Sequence, residues 1–169
     1  FNLIGRFRGS ILILGPLLAR FGSIKLPPPG GCLIGTRPID THLDAFSQLG
    51  FEIQYKDNFY YFKKVSKSER NFIELTYLSR REIKSPPKSV ILREFSVTAT
   101  ENILLFSSLI NKTVILKIAD QDYQVQELVK VLKKMGVKIK SEGSHCYKIL
   151  GKRRLKGFEH TILSDPIET

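Results

Sequence analysis

The stretch Leu26-Pro-Pro-Pro-Gly-Gly-Cys-Leu-Ile-Gly-Thr-Arg-Pro-Ile-Asp-Thr-His42 decides how the rest of the chain is interpreted. Its three prolines end any preceding strand, and the paired glycines after them allow backbone angles that other residues resist. The pattern predicts a glycine-rich loop from which Cys32 projects into a cleft. Pro38 and Asp40 suit a helix start, because proline fits the first helical position and a carboxylate suits the amino-terminal end. One short segment therefore offers a thiol, the guanidinium of Arg37 and a carboxylate.

The composition is that of a soluble globular protein. The 169 residues are 42% hydrophobic and 25% charged, enough for a sizeable core in one or two compact units. The longest apolar run, Ile11 to Leu18, is far shorter than the roughly 20 residues that cross a bilayer. Because Phe1 is not a methionine, we expect a fragment of a longer protein. Cys32 and Cys146 lie far apart in dissimilar contexts, which suits a reducing cytoplasm and no disulfide framework.

The chain carries a strong excess of positive charge. Its 27 Lys and Arg against 16 Asp and Glu give a formal charge of +11, which indicates an anionic partner. Nucleic acid and phosphorylated metabolites both fit. The excess lies mainly in Arg80 to Lys88, Lys130 to Lys140 and Lys148 to Lys156, and the plainer interpretation of each run is a solvated basic surface.

The pattern of apolar residues and turn signals predicts an α/β protein of two similar halves. In the first half we expect a helix over Ser10 to Phe21, capped by Ser10 and ended by Gly22, and then a strand over Ser23 to Leu26. A helix over Pro38 to Leu49 follows. The half ends with a hairpin of Phe51 to Tyr55 with Phe59 to Val65 and a strand over Phe72 to Leu78. A linker over Arg80 to Ser89 follows. In the second half we expect a strand over Val90 to Val97, a helix with a capping box from Thr98 to Glu101, a strand over Lys112 to Lys117, a helix over Gln124 to Met135, and a hairpin of Val137 to Lys140 with His145 to Leu150.

The two halves match each other as an internal repeat. Ser47 to Ile53 corresponds to Lys133 to Ile139, and Gly22 to Leu26 corresponds to Lys112 to Leu116, at offsets of 86 and 90 residues. These offsets exceed those of common solenoids, so the unit is a mixed α and β module. We expect one unit over residues 1–89 and the second over residues 90–169.

Two joined motifs closely resemble the UDP-N-acetylglucosamine enolpyruvyl transferases, also called UDP-N-acetylglucosamine 1-carboxyvinyltransferases. They are Arg8 to Gly22 and Pro29 to His42, and weaker similarity continues at Ser96 to Asn102 and Asp165 to Thr169. The resemblance implies two domains, each an inside-out α/β barrel of three βαβαββ units, with the active site between them. The chain then corresponds to the last two units of one domain, without the first unit and all or most of the partner domain.

The resemblance also implies a reaction. The enolpyruvyl group of phosphoenolpyruvate is transferred to the 3-hydroxyl of UDP-N-acetylglucosamine with release of phosphate, in the first committed step of peptidoglycan synthesis in the cytoplasm. No metal or organic cofactor is expected. Cys32 matches the catalytic proton donor of the loop. The matching substrate-binding positions are Arg8, Arg37, Pro38, Ile39, Asp40, Thr41, Glu94, Phe95, Ser96 and Val97.

The chain departs from the family pattern at several positions. Glu94 and Thr98 stand where lysine and glycine are usual, Asp122 to Gln124 replaces an acidic stretch, and Pro166 replaces an arginine. The first two departures question the second nucleotide contact. Since a site assembled between domains needs both walls, we expect no turnover by this chain alone.

Other interpretations remain open on the residues alone. Cys32 can be a small buried residue, Arg37 a surface charge, and His42 a histidine that only caps or packs its helix. The related shikimate-phosphate enzyme shares the fold and reaction type, but Cys32 argues against it. A different class is a degenerate stand-alone binding module of the same fold, with RNA as a candidate ligand for its basic surface. Such binding would weaken steeply with salt and tolerate the loss of Cys32.

Overall fold

The computed structural model describes residues 3–30, 38–65 and 88–164. Cys32, Arg37, Pro166 and the predicted strand Phe72 to Leu78 lie outside these ranges. The α-helices of the described ranges are α1 (Leu14–Phe21), α2 (Asp40–Gln48), α3 (Val97–Leu109) and α4 (Tyr123–Lys134). The strands are β1 (Ser23–Leu26), β2 (Phe51–Lys56), β3 (Phe59–Lys64), β4 (Lys88–Ile91), β5 (Thr113–Lys117), β6 (Lys138–Ser141) and β7 (Cys146–Leu150).

The strands form two sheets with related topology. The first has the order β1-β3-β2 and is antiparallel throughout, while the second has the order β4-β5-β7-β6. In the second sheet β4 and β5 are parallel, and the other neighbours are antiparallel. The second half is therefore a βαβαββ unit, and the described part of the first half repeats its αβαββ portion in the same order. The mixed α/β class predicted from the sequence is confirmed.

The first helix begins later than the sequence predicts, and Ser10 does not cap it. Residues Arg8–Ile13 form a 3-10 helix, and α1 starts only at Leu14. The hydroxyl of Ser10 instead donates a hydrogen bond to the carbonyl oxygen of Phe7 at 2.7 Å. Pro16 explains the difference, because its ring is tolerated in the first turn of an α-helix but clashes in the interior. Gly22 ends α1 as predicted, in the left-handed conformation at φ 73°.

The first hairpin has a tight turn that its sequence dictates. β2 and β3 are joined by Asp57 and Asn58, at φ 52° and 62°. Aspartate and asparagine tolerate positive φ better than other non-glycine residues, and a turn with two such residues matches the twist of the paired strands. The predicted hairpin is therefore confirmed, with β2 extended by one residue to Lys56.

The start of α3 corrects two predictions. The strand expected over Val90 to Val97 is the shorter β4, which begins at Lys88 inside the expected linker and ends at Ile91. Ser96, not Thr98, is the amino-terminal cap of α3, and its Oγ accepts a hydrogen bond from the backbone N–H of Ala99 at 3.3 Å. The hydroxyl of Thr98 is directed to another helix.

The core joins the two halves through aromatic side chains. Phe46 of α2 is fully buried and packs edge-to-face against Phe51, Phe62 and Phe106, with ring centroids 5.6 to 6.3 Å apart. Edge-to-face pairs of this kind add roughly 1 kcal/mol each beyond the burial of area. The predicted packing of the aromatic strand β3 holds for Phe62, which is 3% exposed.

An amide side chain also bridges the halves. Gln48, the last residue of α2, donates from Nε2 to the carbonyl oxygen of Ile91 and accepts at Oε1 from its N–H, both at 2.8 Å. At the same helix end, Lys88 Nζ donates to the carbonyl oxygen of Leu49 at 2.6 Å. β4 is therefore tied to the carboxyl end of α2.

None of the helices in the described part of the chain is long and apolar enough to cross a membrane.

Candidate functional site

The starts of three helices are joined by hydrogen bonds and bring together the described candidate residues. Arg8 precedes α1, the segment 38–41 leads into α2, and the segment 94–97 leads into α3. The sequence places these segments up to 86 residues apart, so the fold alone assembles them.

Arg8 lies against the segment that follows the cysteine loop. Its Nη2 donates a hydrogen bond to the carbonyl oxygen of Pro38 at 3.0 Å. On the other side of the loop, Gly30 packs so closely on the backbone of Arg6 and Phe7 that a Cβ at this position would overlap it. Gly30 and Pro38, which flank the segment containing Cys32 in the sequence, thus both contact residues 6–8.

Thr41 and Glu94 join the two predicted nucleotide-binding segments. Thr41 is 7% exposed, and its Oγ1 donates a hydrogen bond to Oε1 of Glu94 at 2.8 Å. Glu94 itself is exposed. The carboxylate of Glu94 is therefore held in place by a residue of the other predicted segment.

The remaining described candidates divide into exposed and structural positions. Pro38, Asp40 and Phe95 are exposed, and the Phe95 ring lies 4.5 Å from the ring of His145. Ile39 is 7% exposed and belongs to the core. Ser96 is the cap of α3, so its hydroxyl already has a structural partner.

Below the site, a buried amide ties α3 to α1. Asn102 is fully buried, and its Nδ2 donates to the carbonyl oxygen of Ile11 at 2.9 Å. Its Oδ1 accepts from the backbone N–H of Gly15 at 2.8 Å. The contact is so close that a Cβ on Gly15 would overlap the backbone of Asn102. Glycine is therefore required in the first turn of α1.

His42 completes this network from α2. The side chain is 3% exposed, with Nδ1 3.0 Å from Asn102 Nδ2 and Nε2 3.2 Å from Thr98 Oγ1. Since the amide nitrogen can only donate, Nδ1 must accept and the ring proton must lie on Nε2. Burial, and after it the positive charge of Arg8, lower the pKa of His42 from 6.5 to about 4. His42 is therefore neutral at physiological pH.

The sequence alone missed the roles of His42, Thr98 and Asn102. The sequence leaves open whether His42 only caps or packs its helix, predicts a capping box that begins at Thr98, and includes Asn102 in the family resemblance without a role. The sequence does contain one signal, because Asn102 directly precedes an apolar run in α3. An amide side chain buried with such a run requires hydrogen-bond partners.

The described part of the site is suited to anions. Arg8 supplies a positive charge, and the starts of α2 and α3 direct backbone dipoles toward the same end. No group of three His, Cys, Asp or Glu side chains within the described ranges is placed to hold a metal ion.

The basic runs have a different character from the site. Lys130, Lys133, Lys134, Lys138 and Lys140 are all exposed, and Lys148 pairs with Glu142 at 3.2 Å. This is the arrangement of a solvated surface.

Comparison with known proteins places this architecture among carboxyvinyltransferases. Residues 2–169 match the EPSP synthase (3-phosphoshikimate 1-carboxyvinyltransferase) family. UDP-N-acetylglucosamine 1-carboxyvinyltransferase of Treponema denticola is 40% identical over 99% of the chain, and that of Endomicrobium trichonymphae is 38% identical over 99%. The chain spans only 35% and 36% of these two relatives. The resemblance inferred from the motifs is thus confirmed.

Solved structures agree on the fold. The enolpyruvyl transferase NikO from Streptomyces tendae superposes on 89% of the chain with a TM-score of 0.61 and 20% identity, over 31% of its own length. The EPSP synthase from Acinetobacter baumannii superposes on 88% with a TM-score of 0.56 and 15% identity, over 30% of its length. At these identities the likeness shows the fold alone, and it confirms the predicted enolpyruvyl transferase architecture.

Proposed function

This chain belongs to the EPSP synthase family, and from that premise we propose that its full-length protein transfers the enolpyruvyl group of phosphoenolpyruvate to UDP-N-acetylglucosamine. The transfer releases phosphate and serves peptidoglycan synthesis in the cytoplasm. The observation that carries the proposal is the 40% identity to a UDP-N-acetylglucosamine 1-carboxyvinyltransferase over 99% of the chain. The two named relatives are of this type, which favours it over the shikimate-phosphate reaction.

The proposed roles follow the chemistry of the side chains. Cys32 is the proton donor, since a thiol on a loop beside arginines can have its pKa tuned and can move with loop closure. Arg8 and Arg37 bind the anionic substrates, because a guanidinium matches phosphate and carboxylate in a two-pronged manner. The position of Arg8, one hydrogen bond from Pro38, supports this role.

The nucleotide end of UDP-N-acetylglucosamine is proposed to lie on two segments, Arg37 to Thr41 and Glu94 to Val97. Their described parts meet through the hydrogen bond between Thr41 and Glu94. The exposed carboxylate lowers the attraction of this edge for a diphosphate, while leaving an acceptor for hydroxyl or N–H groups of the nucleotide.

The proposal extends to the architecture of the full-length protein. We propose that the two βαβαββ-type units predicted over residues 1–89 and 90–169 belong to one domain, with the boundary moved to the start of β4 at Lys88, and that a second domain supplies the other wall of the site. The share of the relatives' length that the chain spans supports this proposal. We propose no metal or organic cofactor, and the 169-residue chain by itself should not turn over.

The test is an assay of phosphate release by the full-length protein, dependent on both UDP-N-acetylglucosamine and phosphoenolpyruvate. Cys32→Ser should abolish turnover, and the epoxide fosfomycin should inactivate the wild type. In that inactivation the thiolate sulfur bonds to an epoxide carbon, the C–O bond opens, and the oxygen takes up a proton. Cys146→Ser is the matched control and should remain active and sensitive to the epoxide. Normal turnover of Cys32→Ser would refute the role of Cys32. Turnover of phosphoenolpyruvate with shikimate-3-phosphate but not with UDP-N-acetylglucosamine would refute the proposed acceptor.

The alternative of an RNA-binding module gains no support from the comparisons, because the relatives named above are all carboxyvinyltransferases. The exposed lysines of residues 130–140 are accounted for as a solvated surface.

A further inference from the structure

We propose that His42 and Asn102 are positioning residues, which lock the starts of α1, α2 and α3 in one arrangement and thereby align the substrate-binding segments. The inference rests on the proposed function for its kinetic consequences. Its structural basis is independent of the reaction, because it consists of one buried hydrogen-bond network among the described residues.

The network contacts all three helices or the segments directly before them. Asn102 of α3 holds both Ile11 and Gly15 at the start of α1, and His42 of α2 holds Asn102 and Thr98. These contacts are between residues 56 to 91 positions apart in the chain. No local sequence feature could supply the same connection.

Each end of the network is adjacent in sequence to a candidate substrate-binding residue. His42 directly follows Thr41, and Thr98 directly follows Val97. Ile11 lies three residues after Arg8, within the same 3-10 helix. A shift of the network would therefore move the Arg8, 38–41 and 94–97 segments relative to one another.

The polar groups of the network specify one arrangement of the three helices, which apolar groups would not do. The Asn102 amide uses its oxygen for Gly15, so its nitrogen must face Ile11 and His42. This orientation allows only the His42 tautomer with the proton on Nε2, which in turn is donated to Thr98. A fully satisfied buried network rigidifies its surroundings, while a partly satisfied one is costly.

A purely structural role makes different predictions from a positioning role. If the network only adds stability, any equally destabilising change elsewhere in α3 should have the same effect on catalysis. If it positions the site, its loss should impair binding and turnover in molecules that remain folded.

The experiment compares His42→Leu and Thr98→Val with Leu104→Ala in the full-length protein. Leu104 is fully buried in the same helix, has no part in the network, and supplies the matched loss of stability. At a temperature where all variants are folded, we expect kcat/KM for UDP-N-acetylglucosamine to fall at least about tenfold in the two network variants and less than about twofold in Leu104→Ala. His42→Asn, which keeps an acceptor toward Asn102, should recover part of the loss.

Two readouts decide the proposal without turnover. Nitrogen NMR of the His42 ring should show a protonated Nε2 and a bare Nδ1 at neutral pH. Amide hydrogen exchange in residues 38–41 and 94–98 should accelerate in His42→Leu and Thr98→Val, and not in Leu104→Ala. The opposite tautomer, or equal exchange in all three variants, overturns the positioning role. An inactive wild type with the expected tautomer and exchange would refute the proposed function alone.

Discussion

Thr41 donates a hydrogen bond to Glu94 across the candidate nucleotide site, although the two residues are 53 positions apart. Both residues belong to segments that are expected to bind the same ligand. The bond fixes one carboxylate oxygen of the exposed Glu94 side chain. A substitution of Glu94 should therefore change the charge of the site where the two segments meet.

Glu94→Lys should strengthen the binding of UDP-N-acetylglucosamine by the full-length protein. Each unit of charge about 4 Å from a phosphate is worth about 1 kcal/mol in water, and Glu94→Lys changes the charge by two units, so KM should fall about 30-fold at low ionic strength. Glu94→Gln removes the charge and keeps an acceptor for Thr41, and should give a smaller decrease. The KM for phosphoenolpyruvate serves as the internal control. A rise in the KM for UDP-N-acetylglucosamine in Glu94→Lys would show that the carboxylate is itself a ligand of the nucleotide.

The folded protein should lose stability on acidification because of His42. Its pKa is about 4 in the folded state, lowered from 6.5 by burial first and by Arg8 second. Between these two values the unfolded chain binds a proton that the folded chain does not, so the free energy of unfolding falls as the pH falls. The loss is at most about 1.4 kcal/mol per pH unit and roughly 3 kcal/mol over the whole window.

Urea unfolding of the wild type and of His42→Gln at a series of pH values checks this expectation. Glutamine does not titrate, so the difference between the two proteins isolates the contribution of His42. The wild type should show the steeper loss of stability between pH 6.5 and pH 4. Parallel curves for the two proteins would contradict the lowered pKa.

Gly30→Ala should disturb the entry to the cysteine loop. The added methyl group would overlap the backbone of Arg6 and Phe7, which cannot move as a flexible side chain can. We expect a cost of about 1 to 3 kcal/mol in the free energy of unfolding and a reduced kcat/KM, since Arg8 directly follows Phe7 and Cys32 follows Gly30 by two residues in the sequence. Gly157→Ala, where a Cβ meets open space, should change neither quantity. Equal behaviour of the two variants would refute the packing.

Ser96→Ala should destabilise α3 by about 1 kcal/mol, because it removes the oxygen that accepts from the N–H of Ala99. Ser47→Ala, at an exposed position inside α2, is the matched serine control and should be neutral or slightly stabilising. Urea unfolding measures both. A neutral Ser96→Ala would instead favour the capping box that the sequence predicts at Thr98.

Local chemistry explains which parts of the fold the sequence predicts. The turn at Asp57 and Asn58 and the helix end at Gly22 depend on backbone preferences of the residues themselves, so they could be located from the chain alone. The mixed α/β repeat could be inferred from the order of such signals. The family motifs then supplied the candidate site.

Contacts between distant residues explain what the sequence did not predict. The pattern from Thr98 to Glu101 fits a capping box, yet the hydroxyl of Thr98 is engaged by His42 from another helix and Ser96 caps instead. The hydroxyl of Ser10 likewise bonds to Phe7, because Pro16 delays the α-helix. No periodicity in the chain reports a partner 56 or 60 residues away. The role predicted for Cys32 stays a prediction, since that residue lies outside the described ranges.

The bridge between Gln48 and Ile91 bears on solubility. β4 is an edge of its sheet among the described strands, and an unpaired edge invites the strand of another molecule to add to it. The carboxamide of Gln48 has the same donor and acceptor as a peptide group and occupies the main-chain N–H and C=O of Ile91. A strand from a second molecule could not pair there without first displacing this side chain. Gln48 at the end of α2 thus opposes aggregation through the edge at β4.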